Sequence, residues 1–152
     1  MPTQEQVRRA RRLLDERLAG FRPAGRWAPP RAGWVRAIRD ALGMPASDLA
    51  RRMGISQPGV FALEQTERNG STRLDSLRRA AEAMDCTLVY AFIPNEGLEE
   101  TVRRQAERLA DEQLGRVQQT MALEDQAAPV SADAREELVQ RLAGTRGLWS
   151  RR

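Results

Sequence analysis

Between residues 46 and 68 the chain places Ala50, Gly54, Val60 and Leu63 at offsets of four, ten and thirteen residues, a spacing that few arrangements satisfy. Ala50 is small enough for two helices to cross closely. Gly54 tolerates the left-handed backbone of a tight turn, and Ile55 plugs the angle behind it. Val60 and Leu63 then face inward. Ser56 is a good N-cap, and Pro58 falls in the first helical turn, where backbone N–H groups have no intrahelical partner. The pattern predicts two short helices joined by a glycine turn, a helix-turn-helix, with Gln57, Phe61, Gln65 and Arg68 on the outer face of the second helix.

Amphipathic segments flank this pair. Thr3 with Gln6 makes a capping box, and Val7, Ala10, Leu13, Leu14 and Leu18 predict a first helix over residues 4–19, stopped by Gly20. Pro23, Gly25, Pro29, Pro30 and Gly33 turn the next stretch into an extended connector. Trp34, Val35, Ile38, Ala41 and Leu42 predict a helix ending at Gly43, and Pro45 and Ser47 open another that carries Leu49, Ala50 and Met53. After Asn69 and Gly70, Thr72 is expected to cap a helix with Leu74, Leu77, Ala80, Ala81 and Met84 inward, completing a four-helix core. Thr87 to Ile93 is a β-branched and aromatic run closed by Pro94, and it is the one strand expected. Residues 98–121 and 131–142 read as polar helices with thin apolar stripes, neither able to bury itself unaided. The expected class is all-α with one short strand, divided into residues 1–32, a core at 33–86 and an extension at 87–152.

Charge is unevenly distributed along this plan. All 25 basic residues are arginine, and residues 1–79 hold 16 of them against 8 acids (+8), whereas residues 80–152 hold 9 against 13 (−4). A basic first half suits a polyanion. The helix beginning at Ser56 is therefore expected to enter the major groove of double-stranded DNA. Ser56, Gln57, Gly59, Phe61, Gln65 and Arg68 are the candidate contacts on it, and Arg36, Arg51 and Arg73 are candidates for phosphate. Gln57 fits an adenine edge, and Phe61 a thymine methyl group. A lone strand needs a partner, so Leu88, Val89, Tyr90, Phe92 and Ile93 are expected to pair with a second copy in a homodimer.

Other chemistries find little support in the residues. One cysteine, Cys86, and no histidine rule out a mixed Cys/His zinc site, and no metal or cofactor is expected. Glu64 with Glu67, or Asp111 with Glu112, are neighbouring carboxylates, but no nucleophile motif or glycine-rich phosphate loop accompanies them, so no enzyme is expected. The absence of a long apolar run or a secretory leader pattern predicts a cytoplasmic protein.

Several segments carry a family resemblance. Gly33-Trp34-Val35-Arg36-Ala37-Ile38-Arg39, Ala41-Leu42-Gly43-Met44, Leu88-Val89-Tyr90-Ala91 and Met121-Ala122-Leu123-Glu124-Asp125-Gln126 together resemble the mobile mystery protein A family, over almost the whole chain. That resemblance implies a Cro/repressor-type (XRE) core of lambda-repressor-like fold, encoded beside a Fic/DOC-domain protein called mobile mystery protein B. It further implies an autorepressor that acts as the antitoxin-like partner of the Fic protein. Arg39 and Glu64 resemble the ion pair that links the first and third helices in many Cro/repressor relatives. Pro58 and Gly59 depart from the wider pattern, which moves base reading to Gln57, Phe61 and Gln65. The segment Thr120 to Glu124 resembles the Ser/Thr-x-x-x-Glu of Fic-inhibitory helices, except that Asp125 follows, and it implies direct restraint of the partner as an alternative role.

Overall fold

The computed structural model describes residues 1–123 and 129–150, and all regular structure among them is helical. The α-helices are α1 (Gln4–Ala19), α2 (Trp34–Ala41), α3 (Ala46–Met53), α4 (Gln57–Arg68), α5 (Leu74–Ala83), α6 (Leu98–Leu123) and α7 (Ala132–Ala143), with a single 3₁₀ turn at Ala24–Trp27. They fall into two compact units, one of residues 24–92 and one of residues 1–23 with 93–152. The unit of residues 24–92 is wider on both sides than the core expected at 33–86. Among the described residues no helix is long and apolar enough to cross a membrane.

Helices α2 to α5 make up the first unit. Val35, Leu49, Ala50, Met53, Val60, Leu63, Ala80 and Met84 form its buried interior, and Cys86 is half-buried against it. Leu74, expected inside, is 46% exposed. All four helices end in the same way. A residue in the left-handed region follows each one, at Gly43 (φ 63°), Gly54 (φ 69°), Gly70 (φ 69°) and Asp85 (φ 57°). The next N–H then reaches back five residues: Met44 to Arg39 O, Ile55 to Ala50 O, Ser71 to Thr66 O and Cys86 to Ala81 O. These are Schellman closures, which occupy carbonyls that the last turn leaves open. At its start α5 departs from the sequence expectation, because Arg73 occupies the N-cap and offers no side-chain bond, so Thr72 does not cap it.

The second unit packs α6 against α7 and α1 against α6. Val102, Ala106, Leu109 and Ala110 of α6 meet Val139 and Leu148, and no residue of α1 is buried. The capping box at Thr3 and Gln6 forms as the spacing predicts. Arg135 on α7 grips Asp111 on α6 with two bonds of 2.7 and 2.9 Å. Its guanidinium holds the Asp111 carboxyl below the ordinary value, chiefly through that hydrogen bond. Asp15 of α1 accepts from the N–H groups of Leu98 and Glu99, at 2.7 and 3.1 Å, and so caps α6 from 83 residues away.

Within the single chain Thr87 to Ile93 forms no strand. Leu88, Val89, Tyr90, Phe92 and Ile93 carry neither helix nor ladder, and among the described residues no strand occurs elsewhere. A ladder needs two segments, and this chain supplies one. Val89, Tyr90 and Phe92 stand 73%, 64% and 91% exposed. Thr120 lies on the exposed side of α6, where its hydroxyl donates to Arg116 O, and Glu124 falls outside the described residues.

Candidate nucleic-acid interface

Helix α4 is two-faced for a simple reason of spacing. Val60, Leu63 and Glu64 lie three and one residues apart on the side that meets the core, so Gln57, Phe61, Gln65 and Arg68 fall on the other. All four are exposed, Phe61 at 51%. Ser56 starts the helix by accepting from the Gly59 N–H at 3.1 Å. Gly59 is turned toward that cap rather than outward, because a Cβ there would sit 3.2 Å from Ser56 Oγ and 3.6 Å from Ile55 Cδ1. A side chain at this position therefore crowds the turn before it meets any ligand.

The outward side chains differ in freedom. Gln65 donates from Nε2 to Asn69 Oδ1 at 3.3 Å and accepts at Oε1 from Arg68, so both ends of its amide are engaged within the helix. Gln57 makes no such bond among the described residues. Of the expected phosphate contacts, Arg36 pairs with Asp40 at 3.5 Å and Arg51 with Asp48, while Arg73 has no partner among the described residues. Arg52 and Arg79 serve the fold instead. Their guanidinium groups donate to Ala83 O (3.1 Å) and Met53 O (2.9 Å), tying α3 to α5.

Beneath this face lies the Arg39–Glu64 pair. Arg39 Nε donates to Glu64 Oε1 at 2.9 Å, and Arg39 also reaches Met44 O (3.0 Å) and Asp40 (3.0 Å). With residue exposures of 8% and 3%, the pair is the buried charge of this unit, and it fixes α2 to α4. The sequence reading missed a second link between the same helices. Glu67 accepts from the Trp34 N–H at 2.7 Å and the Val35 N–H at 3.0 Å, so a carboxylate of α4 caps α2. Gly33 makes room for it: φ is +81°, and a Cβ would stand 2.6 Å from Glu67 Oε2. That glycine before a tryptophan was the available signal, since it marks a helix start approached by something close.

The other unit presents a different surface. An open cleft of about 600 Å³ is lined by Asp15, Glu16, Glu96, Glu99 and Glu100 against Arg22 and Arg103, an acidic setting that disfavours an anionic ligand. Among the described residues no cluster of three metal-ligating side chains occurs. Compared with protein-family models, with curated proteins and with solved structures, the chain finds no match.

Proposed function

We propose that the chain is a sequence-specific DNA-binding regulator in which α3, its turn and α4 act as a helix-turn-helix, with α4 in the major groove. The observation that carries this reading is the outer face of α4, where Gln57, Phe61, Gln65 and Arg68 are exposed and the helix's two acids are withdrawn, Glu64 into the core and Glu67 onto α2. A helix face cleared of carboxylates suits a polyphosphate surface. The resemblance to mobile mystery protein A adds that the regulator controls its own promoter and serves as antitoxin-like partner of a Fic/DOC-domain protein. Two copies paired through Leu88, Val89, Tyr90, Phe92 and Ile93 place two α4 helices on half-sites roughly 10 base pairs apart, and the exposure of Val89, Tyr90 and Phe92 supports that pairing.

Footprinting the full chain on its own upstream DNA tests the reading, with two variants that separate base from phosphate contact. Gln57→Ala is expected to weaken the operator by ~1–3 kcal/mol while leaving random DNA nearly unchanged. Arg73→Ala is expected to weaken both and to reduce the slope of log affinity against log salt by about 0.9. If no upstream fragment is protected, the regulator reading fails. A second reading, direct inhibition of the Fic-type protein through α6, is favoured by Val117 and Leu123, which stand 52% and 85% exposed past the stretch that α7 covers.

A further inference from the structure

The four outward residues of α4 are unequally available to a duplex. Arginine reads guanine by presenting two parallel donors to O6 and N7. Arg68 is the one cationic residue of α4, and its guanidinium is already turned back onto Gln65 of the same helix. Gln65 is itself held at both ends of its amide. That leaves Gln57 and Phe61, neither of which has a side-chain hydrogen bond among the described residues.

These two stand four residues apart, one above the other on one helix face, with a rise of about 6 Å between them. Base pairs are about 3.4 Å apart, so the two side chains span one to two base pairs. Each has a distinct complement there. A free glutamine amide accepts from N6 and donates to N7 of adenine in one plane. The C5 methyl of thymine is the apolar group that the major-groove edge offers to a ring such as Phe61. Phe61 is 51% exposed between glutamines on a helix whose other large apolar residues are buried, so a ligand methyl is what would remove it from water.

Resting on the DNA-binding reading above, we infer that α4 reads an A·T-centred half-site, Gln57 taking an adenine and Phe61 the methyl of a thymine one or two base pairs away. Guanine readout is absent from the centre of the half-site, because the one arginine that would supply it lies at the far end of the helix and is tethered.

Selection of bound duplexes from a randomised pool with the full chain, followed by single-base chemistry, tests this. The enriched half-sites are expected to hold adenine and thymine at neighbouring pairs. Replacing that thymine by deoxyuridine deletes one methyl group and nothing else, and is expected to weaken the wild-type chain about fourfold. Phe61→Ala should bind the thymine and uracil duplexes equally, and Phe61→Leu, which keeps an apolar side chain, should retain part of the difference. Enriched sites with G·C at both central pairs would overturn the inference while leaving DNA binding intact. So would a wild-type chain indifferent to uracil, or a Phe61→Ala variant that still loses fourfold. A pool with no enriched sequence overturns the regulator reading itself, and this inference with it.

Discussion

The two units of the chain solve the same problem, how to end a helix, in different ways. In the unit of residues 24–92, helices of 8, 8, 12 and 10 residues each close on a left-handed residue and a bond five residues back. In the other unit, α1 and α7 run into Gly20 (φ −67°) and Gly144 (φ −88°), which stay right-handed and make no such closure. What fixes α6 there is a carboxylate from a distant helix, Asp15, with Arg11 on Glu99 (2.7 Å) and Arg22 on Asp15 (3.6 Å) beside it. Local turns close the helices of the first unit, which Arg39–Glu64 and the Glu67 cap then tie together, whereas in the second the start of α6 depends on a distant carboxylate. The charge plan changes accordingly. By chain order the first half is basic and the second acidic, but α1 brings its arginines to the acids of α6. Residues 24–92 then hold ten arginines against seven acids (+3), and the remainder hold 15 against 14 (+1).

The contrast is sharpest where the locally specified unit depends on one buried charge. Glu64→Ala takes from Arg39 its one buried carboxylate, leaving it the exposed Asp40 and the Met44 carbonyl, and is expected to cost ~3 kcal/mol, the largest effect predicted for this chain. Urea unfolding followed by tryptophan fluorescence in a Trp149→Phe background reads this unit, since Trp27 and Trp34 both belong to it. Glu64→Gln keeps an acceptor for Arg39 and should lose less. A loss below about 1 kcal/mol, the range of exposed pairs, would mean that the pair behaves as surface charge and that turns alone hold the unit.

A smaller effect, with a pH signature, is expected at Asp15. The Leu98 N–H bond, and after it the Glu99 N–H bond, Arg22 and Arg11, hold this carboxyl below its ordinary value of 3.8, against the opposing effect of burial. A carboxyl whose folded value is depressed stabilises fully above its unfolded value, and that contribution fades as pH falls through the folded one. The unit built on α1 and α6 should therefore weaken below about pH 4, and Asp15→Asn should flatten that decline while costing ~1 kcal/mol at neutral pH. Thermal melts from about pH 6 down to pH 3 provide the check. A variant that follows the wild-type pH profile would assign the decline to another group.

Much of the helical plan was legible because its signals are local. Thr3 and Gln6, Gly43, Gly54, Ser56 and Gly70 each act within five residues of themselves, and the helices they bound lie where the spacing predicts. The outer face of α4 was legible for the same reason, since Val60 and Leu63 determine by elimination which residues are exposed. What was not legible acts at a distance. Glu67 caps a helix 32 residues away, Asp15 one 83 residues away, and no periodicity names such partners. The packing of Gly59 against Ser56 and Ile55 was not legible either, because those neighbours come together only once the turn is built. Thr87 to Ile93 takes no strand form within the single chain, because β-propensity describes a surface that fits a sheet and no sheet occurs among the described residues.

Asp85 is the exception within the locally specified unit, and it yields the smallest expected effect. Three of the four closures use glycine, whereas α5 ends on an aspartate at φ 57°, a conformation that costs most residues roughly 1–2 kcal/mol and aspartate somewhat less. No hydrogen bond from its carboxylate offsets that cost among the described residues, although the Cys86 N–H still completes the closure to Ala81 O at 2.8 Å. Glycine removes the steric cost but gives the unfolded chain more freedom, and the two effects oppose each other. The net expectation for Asp85→Gly is a gain of about 0.5 kcal/mol, and for Asp85→Ala, which lacks aspartate's tolerance of this region, a loss of similar size. Melting temperatures of the two variants in one buffer decide it by sign. If both variants melt below the wild type, the Asp85 carboxylate stabilises the end of α5 through its charge or its bonds, and the rule that local turns alone close this unit's helices ends at α5.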